Sequence, residues 1–310
     1  MTTFPTDRYG LIRREATLRL GISDDVVAAA VRRGDLVRLA PGVCVGTIDD
    51  ELDAGGEYLY RLRSIAVATS ARDRDTAALS HDSAAAVHGL SLLHPAREIV
   101  HLTKTEKRGG FRRGHRAVHA GPLSPDDIVE VDEVRVTSLE RTAVDVAMDG
   151  DFARALVVFD RALALEADPT VMRTIIDSRG RWRGVGTARR ALSLADAASE
   201  SVGESWSRAQ MIAAGLPVPR LQHTFQTSAG PARADFDWDA LVVGEFDGLQ
   251  KYGRLLRPGE TTRDALIREK RREDALRARG IMVIRCTWAT LECDELVDLL
   301  RPWLDRPAVA

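Results

Sequence analysis

Lysine is nearly missing from this chain. Of 44 lysines and arginines, only Lys104, Lys107, Lys251 and Lys270 are lysine. Cysteine is as sparse: Cys44, Cys286 and Cys293 are odd in number and show no paired spacing. That pattern argues against a disulfide framework or a cysteine-ligated zinc site and suits a reducing compartment. No apolar run approaches the roughly 20 residues that cross a bilayer. The opening Met1-Thr-Thr-Phe-Pro-Thr-Asp7 has no basic-then-apolar leader. Internal repeats and low-complexity tracts are also missing. A cytoplasmic protein with no membrane partner is expected.

What is present is 310 residues, enough for two or three domains, with 45% hydrophobic residues to build their cores. The formal net charge of −2 conceals an uneven distribution. Between residues 10 and 47, Leu11 to Leu20 has a helical pattern, and Gly21 ends it. Ser23 can cap a second helix, Val26 to Arg33, whose first turn carries Asp24 and Asp25 and whose end is Gly34. Leu36 to Leu39 and Val43 to Val45, joined at Pro41-Gly42, form a short hairpin. Helix, turn, helix and hairpin is the order of a winged helix, a unit that lays one helix in the DNA major groove. Seven arginines, Arg8, Arg13, Arg14, Arg19, Arg32, Arg33 and Arg38, face five acids, Asp7, Glu15, Asp24, Asp25 and Asp35. The footprint is mildly basic, and Arg32, Arg33 and Arg38 are its candidate DNA contacts.

The phrases Gly10-Leu-Ile-Arg-Arg-Glu-Ala16 and Leu36-Val-Arg-Leu-Ala-Pro-Gly-Val-Cys-Val45 resemble the N-terminal winged helix of AbiEi-type antitoxins. The resemblance continues through Ala78-Leu-Ser-His-Asp-Ser-Ala-Ala-Ala-Val-His-Gly-Leu90 and Val136-Thr-Ser-Leu-Glu-Arg-Thr-Ala-Val-Asp-Val-Ala147. It covers roughly the first half of the chain and implies a second α/β domain behind the winged helix.

Helices are expected over Tyr58 to Ala71 and Ser80 to Leu90, and a strand over Glu98 to Leu102. A flexible loop follows, with Lys104, Lys107, Arg108, Arg112, Arg113 and Arg116 against the single acid Glu106, and with Phe111 among them. Such a loop can track phosphates and release counterions. Six of the seven histidines, His81, His88, His94, His101, His115 and His119, fall in this region. Their spacing matches no metal-ligand pattern, so they read as ordinary helix and loop histidines. Ser138 starts a helix to Met148, with Arg141 and Asp145 placed for local ties. Helices follow over Asp151 to Glu166 and from Asp168-Pro169 to Asp177. Arg179-Gly-Arg-Trp-Arg-Gly-Val-Gly186 reads as a linker or a loop facing nucleic acid, and an alanine-rich helix follows it.

In the last third, Ser201 to Glu204 opens a helix ending at Gly215. Strand Leu221 to Thr227 leads to the stretch Arg233 to Gly248. Ala234, Phe236, Trp238, Val242 and Phe246 alternate there with Asp235, Asp237, Glu245 and Asp247. Period-two alternation predicts a β-hairpin with one apolar and one acidic face. Placing both acidic pairs on one face requires a loop of odd length, for example Trp238-Asp239-Ala240. Clustered carboxylates repel one another unless a cation joins them, and hard oxygen donors suit Mg²⁺ or Mn²⁺. Of the four, Asp237 reads as a solvent-exposed strand residue. A helix from Thr261 to Arg279, a buried strand Ile281 to Cys286 and a final helix over Leu291 to Leu300 complete a mixed sheet flanked by helices.

This segment resembles the very-short-patch-repair-like branch of the PD-(D/E)XK nucleases. The matching phrases are Gly203-Glu-Ser-Trp-Ser-Arg208, Arg233-Ala-Asp-Phe-Asp237, Glu245-Phe-Asp-Gly-Leu-Gln-Lys-Tyr-Gly253, Glu269-Lys-Arg-Arg-Glu-Asp274 and Val283-Ile-Arg-Cys-Thr-Trp288. The resemblance implies a restriction-endonuclease-like fold. It makes Asp235 and Glu245 metal ligands, with Asp247 in support and Glu204 assisting. Asp247 stands where the superfamily has a lysine, and Lys251 or Lys270 is the candidate substitute. Glu204 also fits a Ser-x-x-Glu capping box.

The resulting expectation is an α/β (α+β) chain in three parts. These are a winged helix over 1–50, a middle α/β domain over 51–185 and a nuclease-like domain over 186–310. The expected function is a DNA-binding, Mg²⁺-dependent (or Mn²⁺-dependent) endonuclease. The alternative is an AbiEi-type autorepressor with a degenerate nuclease fold that neutralises a nucleotidyltransferase toxin.

Overall fold

A computed structural model describes residues 3–48, 53, 55–70, 76–104, 109–248 and 261–305. The chain is mixed α and β, and it divides into two compact units, Met1–Val146 and Ala147–Ala310.

The first unit opens with β1 (Ile12–Arg13), α1 (Arg14–Arg19), α2 (Asp24–Arg33), β2 (Leu36–Ala40) and β3 (Val43–Gly46). Helix, turn, helix and hairpin appear in the expected order, with β1 added to give a sheet ordered β1-β3-β2. Gly34 ends α2 at φ 83, the left-handed conformation that glycine tolerates. Ser23 precedes α2 without a side-chain cap. Asp24 instead takes a bidentate contact from Arg14, at 2.7 to 3.0 Å. The unit continues with α3 (Glu57–Ala68), β4 (Ala78–Leu79), α4 (His81–His88), β5 (Val100–Lys104), β6 (Phe111–Arg113), β7 (Arg116–Ala120), β8 (Ile128–Val131) and β9 (Val134–Thr137). The six strands form one mixed sheet ordered β6-β7-β5-β4-β9-β8.

The winged-helix segment and this sheet share a core. Leu11, Leu39, Val43 and Val45 pack in one buried cluster with Leu62, Ile65, Leu79, Val100, Leu102 and Val136. Each fully buried aliphatic of this kind contributes about 1.5–3 kcal/mol, and both segments fall in the unit Met1–Val146. The basic stretch also differs from expectation. Arg112 and Arg113 lie in β6, an exposed edge strand, and Arg116 in β7 sits over the Phe111 ring at 5.5 Å.

Helix α5 (Leu139–Asp149) bridges the boundary at residue 146. Its expected local tie is present: Arg141 Nε donates to Asp145 at 2.9 Å. The second unit begins with α6 (Phe152–Ala164), α7 (Pro169–Ser178), α8 (Val185–Leu194) and α9 (Val202–Ala213). Helix α6 packs on α8 and α9, so the helices expected in the middle segment belong to this unit. Residues 179–184 therefore form a turn inside it, and Val185 and Gly186 open α8. Arg179 is buried against Trp182, and Gly184 packs under the Met148 carbonyl.

The sheet follows as β10 (Arg220–Thr227), β11 (Gly230–Trp238) and β12 (Val242–Asp247). Then come α10 (Thr262–Arg277), β13 (Met282–Thr287), α11 (Trp288–Glu292) and α12 (Leu296–Leu304). The order is β10-β11-β12-β13, antiparallel except that β12 and β13 run parallel. A parallel pair needs a crossover, and α10 supplies it. Thr261 and Asp264 cap α10 reciprocally, as their spacing predicts. Trp238 pairs with Val242. The hairpin loop is thus Asp239-Ala240-Leu241, odd in length as required and one residue later than the example chosen.

Candidate acidic cleft

The four acids expected to act together do line one cleft. Glu204 from α9, Asp235 from β11 and Glu245 and Asp247 from β12 border a cavity of about 380 Å³. Asp235 Oδ2 accepts the Phe246 backbone N–H at 2.8 Å, which ties the two strands together at the site. Glu204 is buried, and its carboxylate is committed locally. It accepts from Ser201 Oγ at 2.7 Å, Glu200 N at 2.9 Å and Gln222 Nε2 at 2.9 Å. The capping geometry thus holds Glu204 at the rim of the cleft.

Asp237 is a correction. Its side chain is fully buried, facing His223 Nδ1 at 2.7 Å, and it accepts the Ala240 N–H at 2.8 Å. β10 covers it, pairing Arg220 opposite Asp237. Its carboxylate anchors the hairpin turn, where Asp239 and Ala240 have φ of 53 and 57.

The cationic partners also differ from expectation. Lys251 lies outside the described residues. Lys270 is exposed and not part of the lining. The reason is helical periodicity: Ala265, Arg268, Glu269 and Arg272 form the face of α10 that borders the cleft, and Lys270 points off it. Arginines occupy the place considered for lysine. Arg272 donates to Glu245 Oε2 at 2.5 Å and to Glu269 Oε1 at 2.6 Å. Arg285, directly opposite Glu245 across the parallel pair, reaches Glu269 at 2.7 Å, Glu245 at 3.7 Å and Asp247 at 3.9 Å. Arg233 closes the rim through a bidentate pair with Glu200. The sequence held one signal for this network, the i,i+3 pair Glu269 and Arg272. The role of Arg285 depends on strand register.

Two carboxylates on this network are driven apart. Burial pushes Glu245 up, and Arg272 only partly offsets it. Burial also opposes ionisation of Glu269, but hydrogen bonds and charge from Arg272 and Arg285 outweigh it and hold the carboxyl down at about 2. A depressed carboxylate contributes stability that is present above its unfolded value of about 4.3 and is lost as pH falls toward the folded value. The second unit should therefore lose stability between pH values of about 4.5 and 2. Part of that slope should vanish in Glu269→Gln, as read by denaturant midpoints across this range. Identical slopes in the two proteins would remove Glu269 from the acid-sensitive set.

The cleft carries six carboxylates, those of Glu200, Glu204, Asp235, Glu245, Asp247 and Glu269, and four arginines, Arg233, Arg268, Arg272 and Arg285. The excess is negative, so it favours a cation over a bare phosphate. Glu245 Oε1 is buried and has no hydrogen-bond partner among the described residues. A buried carboxylate oxygen left in that state is costly, and it fits a hard divalent ion such as Mg²⁺ or Mn²⁺. The expected trio of Asp235, Glu245 and Asp247 does not close into a ligand set, however. Among the described residues, one group of three such donors has its atoms within 4.8 Å of one another, and it is His81, His101 and His119 in the first unit.

The expected DNA contacts are dispersed in the first unit. Arg32, Arg33 and Arg38 are exposed, with Arg33 paired to Asp35. Lys104 is half-buried at the end of β5, and Arg112 and Arg113 are exposed on β6. Lys107 and Arg108 lie outside the described residues.

No family model matches this chain. Part of it is similar to two proteins from strains of Mycobacterium tuberculosis, Uncharacterized protein MT2308 and Uncharacterized protein Rv2248. Each is 36% identical over 127 residues, which is 40% of this chain and 45% of the relative. The similarity thus spans less than half the length of the curated relatives it matches.

Proposed function

We propose that this is a cytoplasmic DNA-binding protein whose second unit hydrolyses phosphodiester bonds with a divalent cation. The observation that carries the reading is the buried Glu245 Oε1, which has no hydrogen-bond partner among the described residues, in a cleft bordered by Asp235 and Asp247. Asp235 and Glu245 would hold Mg²⁺ or Mn²⁺, with Asp247 beside them. A bound ion of this kind lowers the pKa of a water ligand and screens a scissile phosphate. Arg272 and Arg285 serve in place of the expected lysine. A guanidinium remains charged and cannot take a proton, so their part is to bind phosphate oxygens and stabilise developing charge. To do so they exchange carboxylate partners for phosphate. Ser201 and Gln222 keep Glu204 at the rim. Arg32, Arg33, Arg38, Arg112 and Arg113 would position the duplex through its backbone. No helix among the described residues is long and apolar enough to cross a membrane.

A second reading has one observation in its favour. Among the described residues no lysine lines the cleft, and its arginines already neutralise Glu245 and Glu269. In that reading the unit binds without cleaving. The protein is then an autorepressor of the AbiEi antitoxin type, with a nucleotidyltransferase toxin as its partner.

Plasmid and single-stranded DNA incubated with Mg²⁺ or Mn²⁺ separate the two. The wild type should cut, and Asp235→Asn and Glu245→Gln should slow cutting by at least about 100-fold. DNA left intact by the wild type, together with a salt-sensitive gel shift, favours the repressor. Cutting that survives in both variants places the active site elsewhere.

A further inference from the structure

Three histidines far apart in the sequence meet at the face of the six-stranded sheet. His101 is on β5 and His119 on the adjacent parallel strand β7, where Thr103 pairs with His119. His81 is the first residue of α4, directly after β4, which borders β5. The His81 and His119 rings lie 4.0 Å apart, those of His101 and His119 5.2 Å, and those of His81 and His101 5.4 Å. His101 Nδ1 is 2.9 Å from His119 Nε2, and His81 Nδ1 is 3.0 Å from Ser80 Oγ. One ligand atom from each ring falls within 4.8 Å of the others. Strand adjacency, not sequence interval, brings the rings together, so their spacing in the chain gave no sign of it.

We propose that His81, His101 and His119 form a binding site for a divalent ion of the zinc class. Three imidazoles with no carboxylate are borderline donors, which suit Zn²⁺ or Co²⁺ and not the oxygen-seeking Mg²⁺ or Ca²⁺. Two nitrogens on one tetrahedral zinc stand roughly 3.3 Å apart, given bonds of about 2.0–2.1 Å. The His101–His119 approach is already near that separation. Ser80 can orient His81 through the other ring nitrogen, as outer-sphere groups do around metal-bound histidines. An independent observation concerns the fourth position. Thr103 lies opposite His119 and two residues from His101, so it shares their face of the sheet. Its hydroxyl is buried and has no hydrogen-bond partner among the described residues. A water on the ion would supply one. His81 also holds φ 50, a left-handed conformation rare outside glycine, at the start of α4. The site belongs to the first unit and does not depend on the nuclease reading.

The test uses tag-free, full-length protein freed of metal with EDTA, above the ordinary imidazole pKa of about 6.5. Zn²⁺ is titrated calorimetrically, and Co²⁺ is followed by its visible absorption. The wild type should bind one equivalent of Zn²⁺ at the histidines, besides any held by the acidic cleft, and give intense Co²⁺ bands of low coordination number. His101→Ala and His119→Ala should each weaken binding by at least about 10-fold, while His115→Ala should leave it unchanged. An Asp235→Asn, Glu245→Gln double variant, which removes two carboxylates of the acidic cleft, should still bind one equivalent of Zn²⁺. Wild-type protein without saturable Zn²⁺ binding, or with Co²⁺ bands of six-coordinate solvent type, overturns the proposal whether or not the variants fold. So does unweakened binding in folded His101→Ala and His119→Ala proteins.

Discussion

Arg208→Met is expected to destabilise the second unit by about 3–5 kcal/mol in urea unfolding, the range for removing one partner of a buried ion pair. Asp160 on α6 is fully buried, and Arg208 on α9 is 5% exposed at a separation of 2.5 Å. Arg208 also donates to the Leu194 carbonyl at 2.8 Å, and Asp160 accepts the Asp196 N–H at 2.8 Å. The pair therefore joins α6, α9 and the end of α8. Burial pushes Asp160 up even with Arg208 beside it. Without the arginine, the carboxyl would rise further. A carboxyl raised in the folded state binds more protons there than in the unfolded state, so stability falls as pH rises through the raised value. The deficit of the variant should accordingly shrink on acidification. Adding Asp160→Leu should recover part of the loss, because the cost lies in the stranded charge. A deficit below about 1 kcal/mol, independent of pH, would mean that water reaches Asp160.

Gly184→Ala should cost about 2–5 kcal/mol, the sum of a left-handed backbone penalty and overpacking. Gly184 has φ 85, and a Cβ there would stand 2.0 Å from the Met148 carbonyl oxygen and 2.7 Å from its carbon. The obstacle is backbone at the end of a helix, so no side chain can rotate away. Gly180 is the internal control. It has φ 59 but open space around its Cβ position, so Gly180→Ala should show the backbone penalty alone. Equal losses in the two variants would show that α5 yields at Met148.

Much of the local structure was legible. The reciprocal cap of Thr261 and Asp264, the glycine end of α2 and the period-two hairpin all rest on interactions within a few residues. The odd loop followed because parity alone decides which face each acid takes. The same local logic failed at Asp237. Alternation placed it on the acidic face, but burial depended on β10 lying alongside.

From the sequence by itself came the two-sided hairpin and a mixed sheet flanked by helices, while the grouping of Glu204 with Asp235, Glu245 and Asp247 came from the resemblance to the PD-(D/E)XK nucleases. The hairpin follows from backbone periodicity, which acts over a few residues of chain; that β12 and β13 run parallel was decided by the assembled sheet. Only the tertiary structure decided which charges meet. Arg272 reaches Glu245 across 27 positions, Arg208 reaches Asp160 across 48, and His81 joins His101 and His119 through strand order. Residue type shows that a buried carboxylate or imidazole must find a partner, because an unpaired one is too costly to bury. Which partner it finds is set by strand register and helix face, and those depend on how the whole sheet assembles.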